Sequence, residues 1–108
     1  MVACSTYGYA VQSDMVLGKF LHKGLRRLYE DDDGGGLPAQ SVRKIKAILA
    51  ALEFADELSQ VATLPGWRLH ALKGSRKGEY AITVTGNWRI TFTVQSNMVS
   101  NLNFEDYH

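Results

Sequence analysis

Apolar positions along this chain change their spacing at Pro65-Gly66, and the change divides the chain into a helical half and a β half. Before the break, Phe20, Leu21, Gly24, Leu25, Leu28 and Tyr29 recur at helical spacing with Lys23, Arg26 and Arg27 opposite, which predicts a helix over 20–29. The run Asp31-Asp32-Asp33-Gly34-Gly35-Gly36 ends it in a solvated connection, since its acids suit no buried face. Leu37-Pro38 then opens a second helix, with proline where a missing N–H costs nothing. Its apolar stripe is Val42, Ile45, Ile48, Leu49 and Leu52, and Arg43, Lys44 and Lys46 lie outside the stripe. A short helical piece follows around 54–58, and Met15-Val16-Leu17 reads as a short strand ahead of both helices.

After the break the pattern predicts antiparallel strands over 67–72, 80–84, 88–94 and 99–104. Tyr80, Ile82 and Val84 alternate, as do Trp88, Ile90, Phe92 and Val94, leaving Arg89, Thr91 and Thr93 on the other face. Turns fall at Gly74 to Gly78, Thr85-Gly86-Asn87 and Ser96-Asn97. The expected fold class is α+β: two N-terminal helices packed on one face of a small antiparallel β-sheet, whose other face is offered to a ligand. Trp67, Trp88, Tyr80 and Phe92 read as core. Residues 1–14 carry no sustained period and read as an N-terminal extension, with 15–108 as a single domain.

Composition narrows the classes of function. With 108 residues, 45% of them hydrophobic, the chain can fill one modest core. A net charge of +1 excludes binding to nucleic acid by charge excess alone. Distribution matters more: from Pro65 onward the cations Arg68, Lys73, Arg76, Lys77 and Arg89 outnumber the acids Glu79, Glu105 and Asp106, which marks that half as a candidate anion-binding face. The lone Cys4 cannot form an internal disulfide, and no Cys/His spacing resembles a zinc site. No apolar run has the length of a membrane span. A cytoplasmic protein without membrane association, metal or cofactor is expected.

The chain closes on Asp106-Tyr107-His108, groups that add little to a finished core and suit chemistry better. If the last strand folds beside the basic segment 68–78 and the strand from Trp88, then His108, His70, Lys73, Arg76 and Arg89 converge on one anion, with phosphate the obvious candidate.

Five runs in this order resemble the HigB toxins of bacterial toxin–antitoxin pairs, within the RelE superfamily. They are Lys23-Gly24-Leu25, Gly36-Leu37-Pro38, Leu69-His70-Ala71-Leu72-Lys73-Gly74, Asn87-Trp88-Arg89-Ile90-Thr91-Phe92 and Glu105-Asp106-Tyr107-His108. The resemblance spans about 15–108. It implies a RelE-like fold, cleavage of mRNA on the ribosome, and a helix-turn-helix, HigA-like antitoxin through which the complex binds operator DNA. Two positions depart from the family pattern: Ala71 stands where proline is common, and Ser75 where an acid often follows the Lys-Gly pair. Neither change removes a candidate catalytic group.

Attack of a ribose 2′-oxygen on the adjacent phosphorus needs a base for the 2′-OH, an acid for the 5′-oxygen, and cations for growing phosphoryl charge. His108 titrates near neutrality and suits either proton transfer; the resemblance also places the matching terminal histidine in the active site. Asp106 shares its face in an extended strand, where it either orients the imidazole or is a surface acid. Tyr107 either packs in the core or stacks on a base. Lys73 and Arg89 suit the phosphoryl oxygens. His70 is a second proton carrier, an RNA contact or a structural histidine. Arg68, Arg76 and Lys77 suit the RNA backbone, and Arg43, Lys44 and Lys46 either extend that surface or solubilise their helix. The reading is therefore a ribosome-dependent endoribonuclease toxin. The alternatives are a non-catalytic RNA- or ribosome-binding domain and a module that only titrates a DNA-binding partner.

Overall fold

The computed structural model describes residues 15–106. The extension over 1–14 and the terminal Tyr107 and His108 lie outside the described residues. Chain order is β1 (Val16–Leu17), α1 (Lys23–Asp31), α2 (Val42–Phe54), α3 (Leu58–Ala62), β2 (His70–Ala71), β3 (Glu79–Thr85), β4 (Trp88–Gln95) and β5 (Met98–Asp106), with 3-10 turns at Ala39–Ser41 and Gly74–Arg76. The strands form one sheet in the order β1-β5-β4-β3-β2.

The α+β class holds, but the arrangement of two N-terminal helices on a purely antiparallel sheet needs correction. The strand expected at Met15-Val16-Leu17 forms over Val16–Leu17 ahead of the helices, and it joins the sheet parallel to β5. Leu17 is buried, and the Val16 and Gly18 amides donate to the carbonyls of Asn97 (2.8 Å) and Val99 (2.7 Å), occupying an edge that β5 would otherwise leave open. The same pairing delays the first helix, expected from Phe20, until Lys23. Phe20 bridges to Leu102, and the Leu21 and His22 amides both donate to the Leu102 carbonyl, at 2.7 and 3.2 Å. The expected strand over 67–72 shrinks to His70–Ala71, because Arg68 turns the backbone into the left-handed region at φ 52°. The short helical piece comes later than expected, at Leu58–Ala62.

One sheet face meets the helices. Ile82, Ile90, Phe92 and Leu102 are fully buried there, together with Leu25 of α1 and Ile45, Ile48 and Leu52 of α2. Each such side chain contributes about 1.5–3 kcal/mol relative to exposure. Backbone approach is closest where α1 meets the glycine loop: a Cβ on Gly24 would stand 2.7 Å from the Gly36 carbonyl oxygen. Trp88 corrects the expected aromatic core. As the first residue of β4 it sits at the rim, 37% exposed, with its indole stacked on Phe104 at 4.7 Å. Phe92 is core, and Trp67 and Tyr80 pack partly buried against it.

A bulge sets the facing of β5. Thr93 pairs with Ser100 but Thr91 pairs with Asn103, so β5 spends three steps where β4 spends two, and Asn101 absorbs the extra residue at φ 54°. Val99, Leu102 and Phe104 thus all reach the core despite their broken alternation, while Glu105 comes opposite Arg89 and Asp106 opposite Trp88.

His22 caps α1. Its Nδ1 accepts from the Gly24 amide (3.0 Å) and the Leu25 amide (3.3 Å), and its ring meets Phe104 edge-on at 5.8 Å. Burial lowers its pKa below the ordinary 6.5, because the charged ring is poorly solvated there; protonation of Nδ1 removes the lone pair that both amides use. The unfolded chain thus binds this proton more readily than the folded chain. The cap, worth about 1 kcal/mol, contributes fully above about pH 6.5 and is lost as pH falls below that. Urea unfolding should therefore give a stability that declines from about pH 7 to about pH 5.5. His22→Asn, which keeps a capping acceptor without titrating, should flatten that decline; an unchanged slope would remove His22 as its source.

Candidate active site

Alternation in β4 sends Ile90 and Phe92 to the helices and Arg89, Thr91 and Thr93 to the opposite, open face. Strand pairing carries the same parity outward. Thr83 of β3 lies beside Arg89, Ala81 beside Thr91, and His70 of β2 beside Ala81. Strand spacing and rise put the His70 and Arg89 backbones about 12 Å apart, with the short side chains of Ala81 and Thr83 between them. The result is an open groove of about 440 Å³ lined by Arg68, His70, Thr83, Gly86, Asn87 and Arg89.

The tautomer of His70 follows from its contact. Its Nδ1 lies 2.8 Å from the Arg68 carbonyl oxygen, which can only accept, so Nδ1 carries the proton. In the neutral ring the Nε2 lone pair is left to act as a base. Arg68 thus serves twice, with its backbone orienting the imidazole and its guanidinium lining the groove. A concavity of about 550 Å³ at the β4–β5 turn is lined by Thr93, Gln95, Ser96, Met98, Ser100 and Asn101. It offers hydroxyls and amides but no cation or proton carrier, whereas the first groove has both.

Next to that groove stands a charged cluster. Arg76 donates from Nη1 and Nη2 to Glu105 at 2.8 and 2.7 Å, and from Nη2 and Nε to Glu79 at 2.6 and 3.3 Å. The Thr91 hydroxyl also donates to Glu105, and Thr91 is buried on the face it shares with Arg89, as is its cross-strand neighbour Ala81. Arg76 above all, then Thr91 and the charge of Arg89, hold the Glu105 carboxyl at about 2 despite its partial burial. The two carboxylates raise the Arg76 pKa further in turn.

Among the residues singled out from the sequence, the fold gathers Arg68, His70 and Arg89 in one groove. Lys73 and Lys77 flank the Gly74–Arg76 turn and are exposed, and Arg76 between them is engaged by carboxylates. Asp106 ends β5 exposed, opposite Trp88 rather than Arg89. Arg43, Lys44 and Lys46 lie on α2, across the core from the groove; Lys46 pairs with Asp32 at 2.7 Å. Sequence reasoning places Thr91 on this face beside Arg89 but misses its burial and its bond to Glu105; it misses Thr83 and Asn87 as lining residues. The parity that places Arg89 outward would have found Thr83 through strand pairing; Asn87 reads from the sequence only as turn chemistry. Among the described residues no group of three or more His, Cys, Asp or Glu is placed to hold a metal ion, and no helix is long and apolar enough to cross a membrane.

Because Glu105 titrates near 2 in the fold against an ordinary value of 4.5, its contribution to stability is complete above about pH 4.5 and is lost as pH falls towards 2. Glu105→Gln should lower stability at neutral pH by about 1–3 kcal/mol. It should also make unfolding free energy less steep in pH across that acid window. Equal slopes for the two proteins would show that Glu105 is not held low.

Comparison with known proteins gives the family. The model of the RelE-like toxin of the type II toxin–antitoxin system HigB matches residues 18–108. Endoribonuclease HigB of Proteus vulgaris is 42% identical over 93 residues, 86% of this chain and all of that protein. YoeB from Staphylococcus aureus, solved as a dimer, shares the fold with a TM-score of 0.55 at 17% identity, over 88% of this chain and 98% of that one. YafQ from E. coli does so with a TM-score of 0.53 at 16% identity, over 88% and 93%. With a family match reaching from the first turn before α1 to the last residue, this chain belongs to the HigB-like toxins of type II toxin–antitoxin systems.

Proposed function

We propose that this chain is an endoribonuclease that cleaves mRNA on the translating ribosome by side-chain acid–base chemistry, and that the groove between His70 and Arg89 receives the RNA. The observation that carries this reading is the pairing, in one open groove, of a histidine of fixed tautomer with two arginines. Membership of a toxin family and likeness to a protein named an endoribonuclease support it. A 2′-oxygen bonds to phosphorus as the P–O5′ bond breaks; the 2′-OH proton passes to a base, and an acid protonates the departing 5′-oxygen. The products are a 2′,3′-cyclic phosphate and a 5′-hydroxyl.

His70 and His108 are the two proton carriers. Asp106 closes β5 at the Trp88–Arg89 end of the sheet, and His108 follows it by two residues in the sequence. Asp106 orients the terminal imidazole and Tyr107 stacks on a base. Arg89 and Lys73 meet the charge that grows on the phosphoryl oxygens. Arg68 and Lys77 contact the flanking backbone, and the α2 cations Arg43 and Lys44 face ribosomal RNA on the far side of the domain. A net charge of only +1 makes free RNA a poor ligand and the ribosome the positioning partner.

The type II family implies an antitoxin. Within this proposal it is a HigA-like helix-turn-helix protein that carries the complex to operator DNA. Residues 1–14 are an extension that the cleavage activity does not need.

Induction of the full chain should arrest growth and produce mRNA 5′ ends within translated codons, with naked RNA cut far more slowly; equal cleavage of both substrates would contradict ribosome dependence. On programmed ribosomes, His108→Ala should lower the single-turnover rate by roughly 100- to 10,000-fold with an unchanged circular dichroism spectrum. Lys73→Ala and Arg89→Ala should each lose roughly 100-fold or more. A folded His108→Ala protein that cuts at the wild-type rate would dismantle the site. Deletion of residues 1–14 should leave rate and cooperative unfolding intact.

A further inference from the structure

We propose that Arg76 is a positioning residue for cleavage: its guanidinium fastens the Lys73–Lys77 turn to the end of β5 and so holds Lys73, Arg89 and Asp106 in reacting geometry. The inference rests on the function proposed above and assigns Arg76 a role other than contact with RNA.

The turn has little else to hold it. Its 3-10 residues Gly74–Arg76 include no buried side chain. Its backbone bonds are local, from Arg76 to Lys73 at 3.3 Å and from Lys77 to Gly74 at 3.2 Å. Gly74 and Gly78, at φ 66° and 101°, border it as two permissive joints with open space where a side chain would stand. The Arg76 side chain supplies the long-range tie. Its bonds to Glu79 only reach the neighbouring start of β3. Its bonds to Glu105 cross 29 positions to the residue before Asp106, directly opposite Arg89. Thr91 fixes the same carboxylate from below. One side chain therefore couples the placement of Lys73, Arg89 and Asp106.

Geometry also argues against a phosphate-binding role. Arg76 is the donor in four hydrogen bonds to two carboxylates, so its N–H groups and its charge are already committed to those acids rather than to a phosphate. The planar fork is what makes the tie: a lysine ammonium is a point charge that cannot present parallel N–H groups to two carboxylates in fixed orientation. Misplacement of about 1 Å at a reacting centre costs on the order of 100-fold in rate, so a clip this close to the groove has leverage on chemistry without touching the substrate.

The test is single-turnover cleavage of mRNA on programmed ribosomes over a range of toxin concentrations, for wild type, Arg76→Met, Arg76→Lys and Lys77→Met. Hydrogen exchange on the free proteins accompanies it. Arg76→Met should lower the saturating rate by about 10- to 100-fold while the half-saturating concentration changes by less than about 3-fold. Arg76→Lys should fall between it and wild type, and carries the comparison if Arg76→Met fails to fold. Exchange should quicken at the amides of residues 74–77 and 105–106 in both Arg76 variants. Lys77→Met should show the opposite split, with a raised half-saturating concentration and a retained saturating rate. An Arg76→Met protein that behaves like Lys77→Met would overturn positioning in favour of RNA contact, and one with wild-type kinetics would overturn any role. Wild type that does not cleave ribosome-bound mRNA overturns the functional reading and this one together; wild type that cleaves beside an unimpaired Arg76→Met overturns this one alone.

Discussion

Between Ser100 and Asn103 the last strand carries one residue more than its partner, and the facing of every later side chain follows from that insertion. Continued without it, the pairing of Thr93 with Ser100 would set Phe104 opposite Arg89 and Glu105 opposite Trp88. An apolar ring would then stand on the open face, and a carboxylate would be pressed towards the core, where an unpaired charge is severely destabilising. With Asn101 taking the left-handed turn at φ 54°, Phe104 returns to the core and Glu105 arrives beside Arg89. Asparagine tolerates that conformation better than most residues. A local backbone irregularity thus decides whether the sheet has a polar working face at all.

The elements that the amino-acid pattern made legible are those fixed by neighbours in sequence. The α2 stripe, the alternation of Ile90 and Phe92 and the turn at Gly86-Asn87 follow from periodicity and local dihedral preference, and each stands where it was expected. The features that escaped depend on distant partners. The broken alternation from Val99 to Leu102 and Phe104 is visible in the sequence, but without the partner strand it does not say at which residue the pairing shifts. Nothing near Phe20 says that its backbone will be claimed by Leu102 and the helix held back to Lys23. Trp88 looked like core from its parity. Parity is right about its face but silent about its position at the rim. Of the site, Arg68, His70 and Arg89 were legible as a basic and titratable set. That Arg76 would turn away towards Glu79 and Glu105 was not, since Glu105 lies 29 positions further along.

The open face divides its cations by the company they keep. Arg76 is surrounded by carboxylates and is thereby fixed in place, while Arg68 and Arg89 line the groove together with His70. A sheet face that carried all three as equal solvated charges would attract polyanions without orienting them. Here the acids of Glu79 and Glu105 immobilise one cation and leave a smaller field concentrated at the groove, consistent with a chain whose net charge is close to zero.

The sheet is bounded on both sides by strands of two residues, β1 at one edge and β2 at the other. An open sheet edge is a template on which another chain can add a strand, and its hazard grows with the length of unpaired backbone it presents. These stubs pair with Met98 and Val99 of β5 and with Tyr80 and Ala81 of β3, so each caps the beginning of a longer strand while exposing almost no ladder of its own. The outermost strands of the described sheet are thus too short to template more than about one or two backbone bonds to an added strand.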